Sequence, residues 1–143
     1  MTTKPLKFLL IATLSAFAMT GCMFSMKPPT NLDYGRIRSS QAGLYRAAIK
    51  PDGDSIPIGK LQKWTLHVDA ANGASVQAAN IEIRGGMPQH GHGLPTKPQV
   101  TRELGDGNYL IEGMKFNMGG WWELRFRVRS VIGVDTLVFN VKL

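Results

Sequence analysis

From Leu44 to its end the chain is built of short segments in which apolar and polar residues alternate, interrupted roughly every eight to twelve residues by Gly, Pro, Asn or Asp. Alternation with a period of two puts successive side chains on opposite faces of an extended backbone, and nothing here sustains the 3.6-residue period of a helix. Seven strands are expected: Leu44–Ile49, Lys60–Asp69, Asn80–Arg84, Gln99–Leu104, Asn108–Ile111, Glu123–Arg129 and Asp135–Leu143. Within the second, Trp64, Leu66 and Val68 fall on one face and Lys63, Thr65 and His67 on the other, which leaves His67 facing solvent. In the sixth, Leu124, Phe126 and Val128 point inward with Trp122, and Arg125, Arg127 and Arg129 point outward. Gly105-Asp106-Gly107 between the fourth and fifth is a hairpin signature, and Asn72-Gly73 marks another turn.

The pattern predicts an all-β fold, a single seven-stranded immunoglobulin-like antiparallel β-sandwich. A single cysteine excludes an internal disulfide, so the core must rest on apolar faces, with Trp64, Trp122, Phe126 and Phe139 supplying the bulk.

The N-terminus follows a different logic. Met1–Lys7 carries two lysines and no acid, and Phe8–Met19 is an apolar run broken only by Thr13 and Ser15. As helix that run reaches only about 18 Å, short of the roughly 30 Å hydrocarbon core, so it reads as an export signal and not as a membrane span. Met19-Thr20-Gly21-Cys22 resembles the lipobox of bacterial lipoproteins, with Met19 where leucine is usual. That resemblance implies a signal peptide over 1–21 and a diacylglycerol thioether on Cys22. It also implies acyl chains such as palmitate, a lipidated tether over 22–43, and a domain over 44–143 facing the periplasm. Two acyl chains hold a protein stably on a membrane surface. Met23 is not the aspartate associated with inner-membrane retention, which favours the outer membrane. Loss of Lys4 and Lys7 with the signal lowers the formal charge by two, from +7 to +5, and the remaining charge is dispersed. Without a basic cluster interleaved with aromatics, nucleic acid is not an expected partner.

No nucleophile elbow, zinc-protease helix, phosphate loop or paired carboxylates appear, so an enzyme is not expected. The chemistry gathers instead in Gly86-Met87-Pro88-Gln89-His90-Gly91-His92-Gly93 and Gly113-Met114-Lys115-Phe116-Asn117-Met118-Gly119-Gly120-Trp121. In extended backbone His90 and His92 share a side about 6.6 Å apart at Cα, and imidazoles so placed converge on one ion. Thioether sulfur is soft and suits Cu(I), while imidazole suits both copper states and zinc. An exported site without thiolates therefore points to copper, held by Met87, His90, His92, Met114 and Met118. The plain alternative for Met114 and Met118 is core packing, since methionine fills gaps against aromatics. For the histidines it is a polar loop bonded to backbone.

These residues, together with Gly107-Asn108-Tyr109 and the continuation Trp121-Trp122-Glu123-Leu124, resemble the YtkA-like domain family, near relatives of FixH- and CopC-type proteins. The resemblance spans about 44–143. It implies an exported or membrane-anchored protein with an immunoglobulin-like sandwich, connected with copper handling or respiratory oxidase assembly. The competing expectation is a metal-free module whose histidine loop and Arg125, Arg127 and Arg129 dock an acidic redox partner.

Overall fold

The computed structural model describes residues 27–143. The signal peptide and Cys22 lie outside the described residues. Nine strands form, with no helix among the described residues: β1 Ile37–Ser39, β2 Tyr45–Pro51, β3 Gln62–Ala70, β4 Asn80–Met87, β5 His92–Gly93, β6 Gln99–Gly105, β7 Asn108–Met114, β8 Trp121–Ser130 and β9 Gly133–Lys142. They pair antiparallel in two sheets, one ordered β1-β2-β3-β7-β6 and the other β5-β4-β8-β9.

All seven expected strands are present, but the expected count is corrected from seven to nine. The additions are β1 and β5, of three and two residues, too short to show an alternation of their own. Strand β1 falls inside the segment expected to be a tether. It pairs with β2, Arg36 O accepts from Ile49 N at 2.9 Å, and the Arg36 guanidinium lies 5.4 Å above the Trp64 ring. Within it, Arg38 bonds and pairs with Asp33 of the preceding segment, holding that carboxyl down at about 2. Strand β5 falls inside Gly85–Pro98, expected to be a loop, and β4 itself runs three residues past Arg84.

The core lies between the sheets, where the alternation predicted it. Trp64, Leu66 and Val68 of β3 are sealed against Trp122, Leu124, Phe126 and Val128 of β8 and Leu137, Phe139 and Val141 of β9. Phe126 and Phe139 meet edge to face at 5.6 Å. Each such side chain contributes roughly 1.5–3 kcal/mol on leaving water. The β6–β7 hairpin closes through Asp106-Gly107, both at positive φ (48° and 73°), as the primed turn requires.

One end of the sandwich is pinned by polar groups. The Asp135 carboxylate accepts from the main-chain N–H of Ala42 (2.9 Å), Leu44 (3.3 Å) and Thr136 (2.7 Å). Burial alone would raise its pKa, but these bonds and one from Ser40 outweigh it and lower the pKa. Beside it, the Tyr45 hydroxyl donates to Gly133 O at 2.7 Å and lies 2.8 Å from Ser130 Oγ. The turn over residues 40–44 is thereby tied to β9 of the other sheet.

Candidate metal site

The opposite end carries the Met/His residues, and its geometry starts from a hairpin. Met87 ends β4, and its carbonyl accepts from both His90 N and Gly91 N at 3.0 Å, which turns the chain back into β5. Leu94 N then bonds Gly85 O at 2.9 Å. The fit needs glycine at 86, because a Cβ there would stand 2.6 Å from the His92 carbonyl oxygen.

Register decides what meets. Met87 is opposite His92 in the β4–β5 ladder, and directly opposed residues share a face with Cβ atoms about 4.5–5.5 Å apart. Gly86 is opposite Glu123 in the antiparallel β4–β8 ladder, so the next step along it sets Trp122 beside Met87. Met87, His92 and Trp122 therefore form one row on the inward side of the four-stranded sheet. Met87 and Trp122 are buried, while His92, on the two-residue edge strand, stays exposed. The His92 ring meets Trp122 edge-on at 6.0 Å, and the His90 ring stacks on His92 at 5.7 Å with an interplanar angle of 19°. His90 sits in the turn and not in a strand, so ring stacking gathers the imidazoles and the expected strand alternation does not.

The second Met segment divides. Met114 ends β7 on the five-stranded sheet, opposite Gln62, and is completely buried. Phe116 is equally buried, between Trp64 at 6.0 Å and Trp122 at 5.2 Å. The alternation stops there, and Met118 is 39% exposed in a bend, its carbonyl accepting from Trp122 Nε1 at 3.1 Å. Gly120, at φ 122°, completes the floor, since a Cβ there would come within 2.8 Å of the Met87 methyl. The structure thus brings together Met87, His90 and His92, borders them with Met118 through Trp122, and seals Met114 in the core. Sequence reasoning placed Trp122 in the core but missed it as the wall of this site. Only its adjacency to the glycine pair hinted at the role.

The His90 ring takes no hydrogen bond among the described residues, and that of His92 has one long contact, Nδ1 to Gly93 O at 3.4 Å. A depression of about 320 Å³ opens beside His92, lined also by Met87, Pro88, Gly91, Glu123 and Arg125. No group of three or more His, Cys, Asp or Glu side chains gathers anywhere among the described residues. A metal held here would draw on two imidazoles completed by thioether sulfur, a soft donor set.

The other expected site residues are less free. Arg125 is held by Glu123 through Nε and Nη2, both at 2.7 Å, and Arg127 lies 3.5 Å from Glu82, which leaves Arg129 as the member of the stripe without a carboxylate among the described residues. His67 faces outward but is not simply solvated. Its Nδ1 lies 3.1 Å from Asn108 Oδ1 and its Nε2 3.0 Å from Asp69 Oδ1.

The profile of YtkA-like domains matches residues 39–127. No curated protein matches the chain. Among solved structures, one titled "ZirS C-terminal Domain" aligns with a TM-score of 0.41 at 12% identity, covering 99% of this chain and 88% of that one.

Proposed function

The chain belongs to the YtkA-like family, and from that premise we propose that it is a periplasm-facing lipoprotein, anchored through Cys22, that binds copper at its Met/His hairpin. Met87, His90 and His92 supply the donors, and Met118 completes the set from the rim. Met114 takes a packing role, because it ends β7 on the opposite sheet and lies outside the row that Met87 shares with His92. The observation that carries this reading is the row Met87–His92–Trp122 with His90 stacked upon it. Soft and borderline donors lie side by side there, and the imidazole nitrogens are almost unused among the described residues. Exposed histidines over a buried thioether suit transfer more than storage, since a partner's ligands can replace the imidazoles one at a time. That agrees with a place in copper handling or respiratory oxidase assembly.

The finer fold assignment rests on strand order. With β1 and β5 set aside, the sheets read β2-β3-β7-β6 and β4-β8-β9, the ABED and CFG order of an immunoglobulin constant-type sandwich. A metal-free docking role for Arg125, Arg127 and Arg129 has less support, because two of the three already carry a carboxylate.

Titration with Cu(I) against a competing chelator, with elemental analysis, tests the reading. One Cu(I) per chain is expected, and the double variant His90→Ala/His92→Ala should bind about a hundredfold more weakly. Unchanged affinity in that variant would sink the assignment.

A further inference from the structure

Four strand edges border the two sheets, and three of them are blunted. Strand β1 is only three residues long. Strand β6 is broken in register between Val100 and Arg102 and again between Glu103 and Gly105. Strand β9 is covered along its edge, where Gln41 N bonds Thr136 O at 2.9 Å and Asn140 Nδ2 donates to Asp33 O at 3.1 Å. The fourth edge is different. Strand β5 pairs with β4 only at Gly86 and Met87, which among the described residues leaves Asn80–Gly85 without a strand on that side.

The direction of the open backbone groups follows from one bond. Gly85 O accepts from Leu94 N on the β5 side, and main-chain groups in a strand repeat their direction every second residue. The pairing of β4 with β8 is regular from Asn80 to Gly86, so no bulge resets this count. The N–H and C=O of Ile81 and Ile83 therefore point outward from the sheet edge. They face a groove of about 730 Å³ lined by Ile81, Ile83, Arg84, Leu94, Lys97 and Val100. A straight, unbulged edge of this kind is a template for pairing with another strand.

The side chains on this edge say which strand. Glu82 and Arg84 are exposed on the outer face, two residues apart, with Ile83 between them half-buried on the inner face. Arg84 stands directly opposite Arg125 in the β4–β8 ladder, an arrangement that is unfavourable for like charges, and it has no carboxylate partner among the described residues. If two copies of β4 lie antiparallel with Ile83 opposite Ile83, Glu82 of each faces Arg84 of the other. Ile83 then falls at a hydrogen-bonded position, and the Glu82–Arg84 pairs fall at the non-hydrogen-bonded positions, where Cα atoms approach to about 4.5 Å and side chains are closest. Moving the centre to Glu82 sets glutamate against glutamate, and moving it to Arg84 sets arginine against arginine. One register is thus self-complementary and its neighbours are not.

We propose that the free edge of β4 binds a second copy of this chain, antiparallel and centred on Ile83, joining two four-stranded sheets into one across a twofold axis. The interface is isologous, so the two Glu82–Arg84 pairs form together or not at all.

Sedimentation velocity on the whole purified chain tests this. A concentration-dependent dimer is expected. Glu82→Arg and Arg84→Glu should each weaken it by about tenfold or more, because each turns two attractive pairs into two repulsive ones. The double variant Glu82→Arg/Arg84→Glu restores the pairing with the signs exchanged and should recover a dissociation constant within about threefold of the original. A chain that is monomeric at every concentration overturns the proposal, as does a dimer indifferent to both reversals or a double variant no better than the singles. Hydrogen exchange provides a readout that needs no substitution. The Ile81 and Ile83 amides should exchange more slowly as concentration rises, and exchange independent of concentration in a dimeric sample counts equally against the proposal.

Discussion

The two ends of the sandwich use polar groups in opposite ways. At the Asp135 end the polar side chains of the pin are engaged internally. One carboxylate collects N–H groups from Ala42, Leu44 and Thr136, and the Tyr45 hydroxyl is held between Ser130 and Gly133. At the hairpin end the two imidazoles are nearly idle among the described residues, with His90 and His92 stacked on each other and only one long ring contact, from His92 to Gly93 O. The main chain beneath them is nonetheless closely determined, through the Met87 carbonyl and the contact at Gly86. The difference teaches where the fold obtains stability and where it leaves chemistry available. The first end is built to be fixed, whereas the second is a rigid mount for groups with unused lone pairs.

The comparison breaks most sharply if the pinned end proves dispensable. Asp135→Ala should cost about 3 kcal/mol in denaturant unfolding, since several part-buried donors lose their acceptor together. Next comes Gly86→Ala, expected to cost about 2 kcal/mol, because the new Cβ meets the His92 carbonyl and β5 must move. Its diagnostic result is a weaker copper affinity alongside the stability loss, whereas Asp135→Ala should leave copper affinity unchanged. A smaller effect concerns pH. The folded pKa of Asp135 is lowered from 3.8, so its ionised form stabilises the fold above that value, and this contribution disappears as pH falls below it toward the folded pKa. Asp135→Asn should flatten that acid limb in unfolding curves taken on both sides of the window. The smallest expected change is in the apo stability of His90→Ala/His92→Ala, within about 0.5 kcal/mol of the parent. Copper is expected to raise the melting temperature of the parent and not of this variant, and a large loss of apo stability would erase the distinction between the ends.

Much of the fold is legible because alternation is a local signal. Trp64, Leu66 and Val68, or Leu124, Phe126 and Val128, announce their burial through spacing alone, and each is completely buried. Strands β1 and β5 carry no such signal. Ile37–Ser39 and His92–Gly93 become strands only because β2 and β4 offer them partners. The Met/His segments were identifiable by composition, but alternation treated Met114, Phe116 and Met118 alike. The bend after Phe116 separates a sealed sulfur from an exposed one. His67 looked idle in sequence, yet it is held between Asp69 on its own strand face and Asn108 from a strand 41 residues away.

By itself the sequence determined which faces turn inward, where the β6–β7 hairpin closes and which residue types could serve a soft cation, since all three depend on near neighbours along the chain. Only the tertiary structure decided which of those residues meet. Pairing register is a property of two strands at once, and a shift by one residue would have turned Met87 away from His92 and replaced the site with a solvated edge.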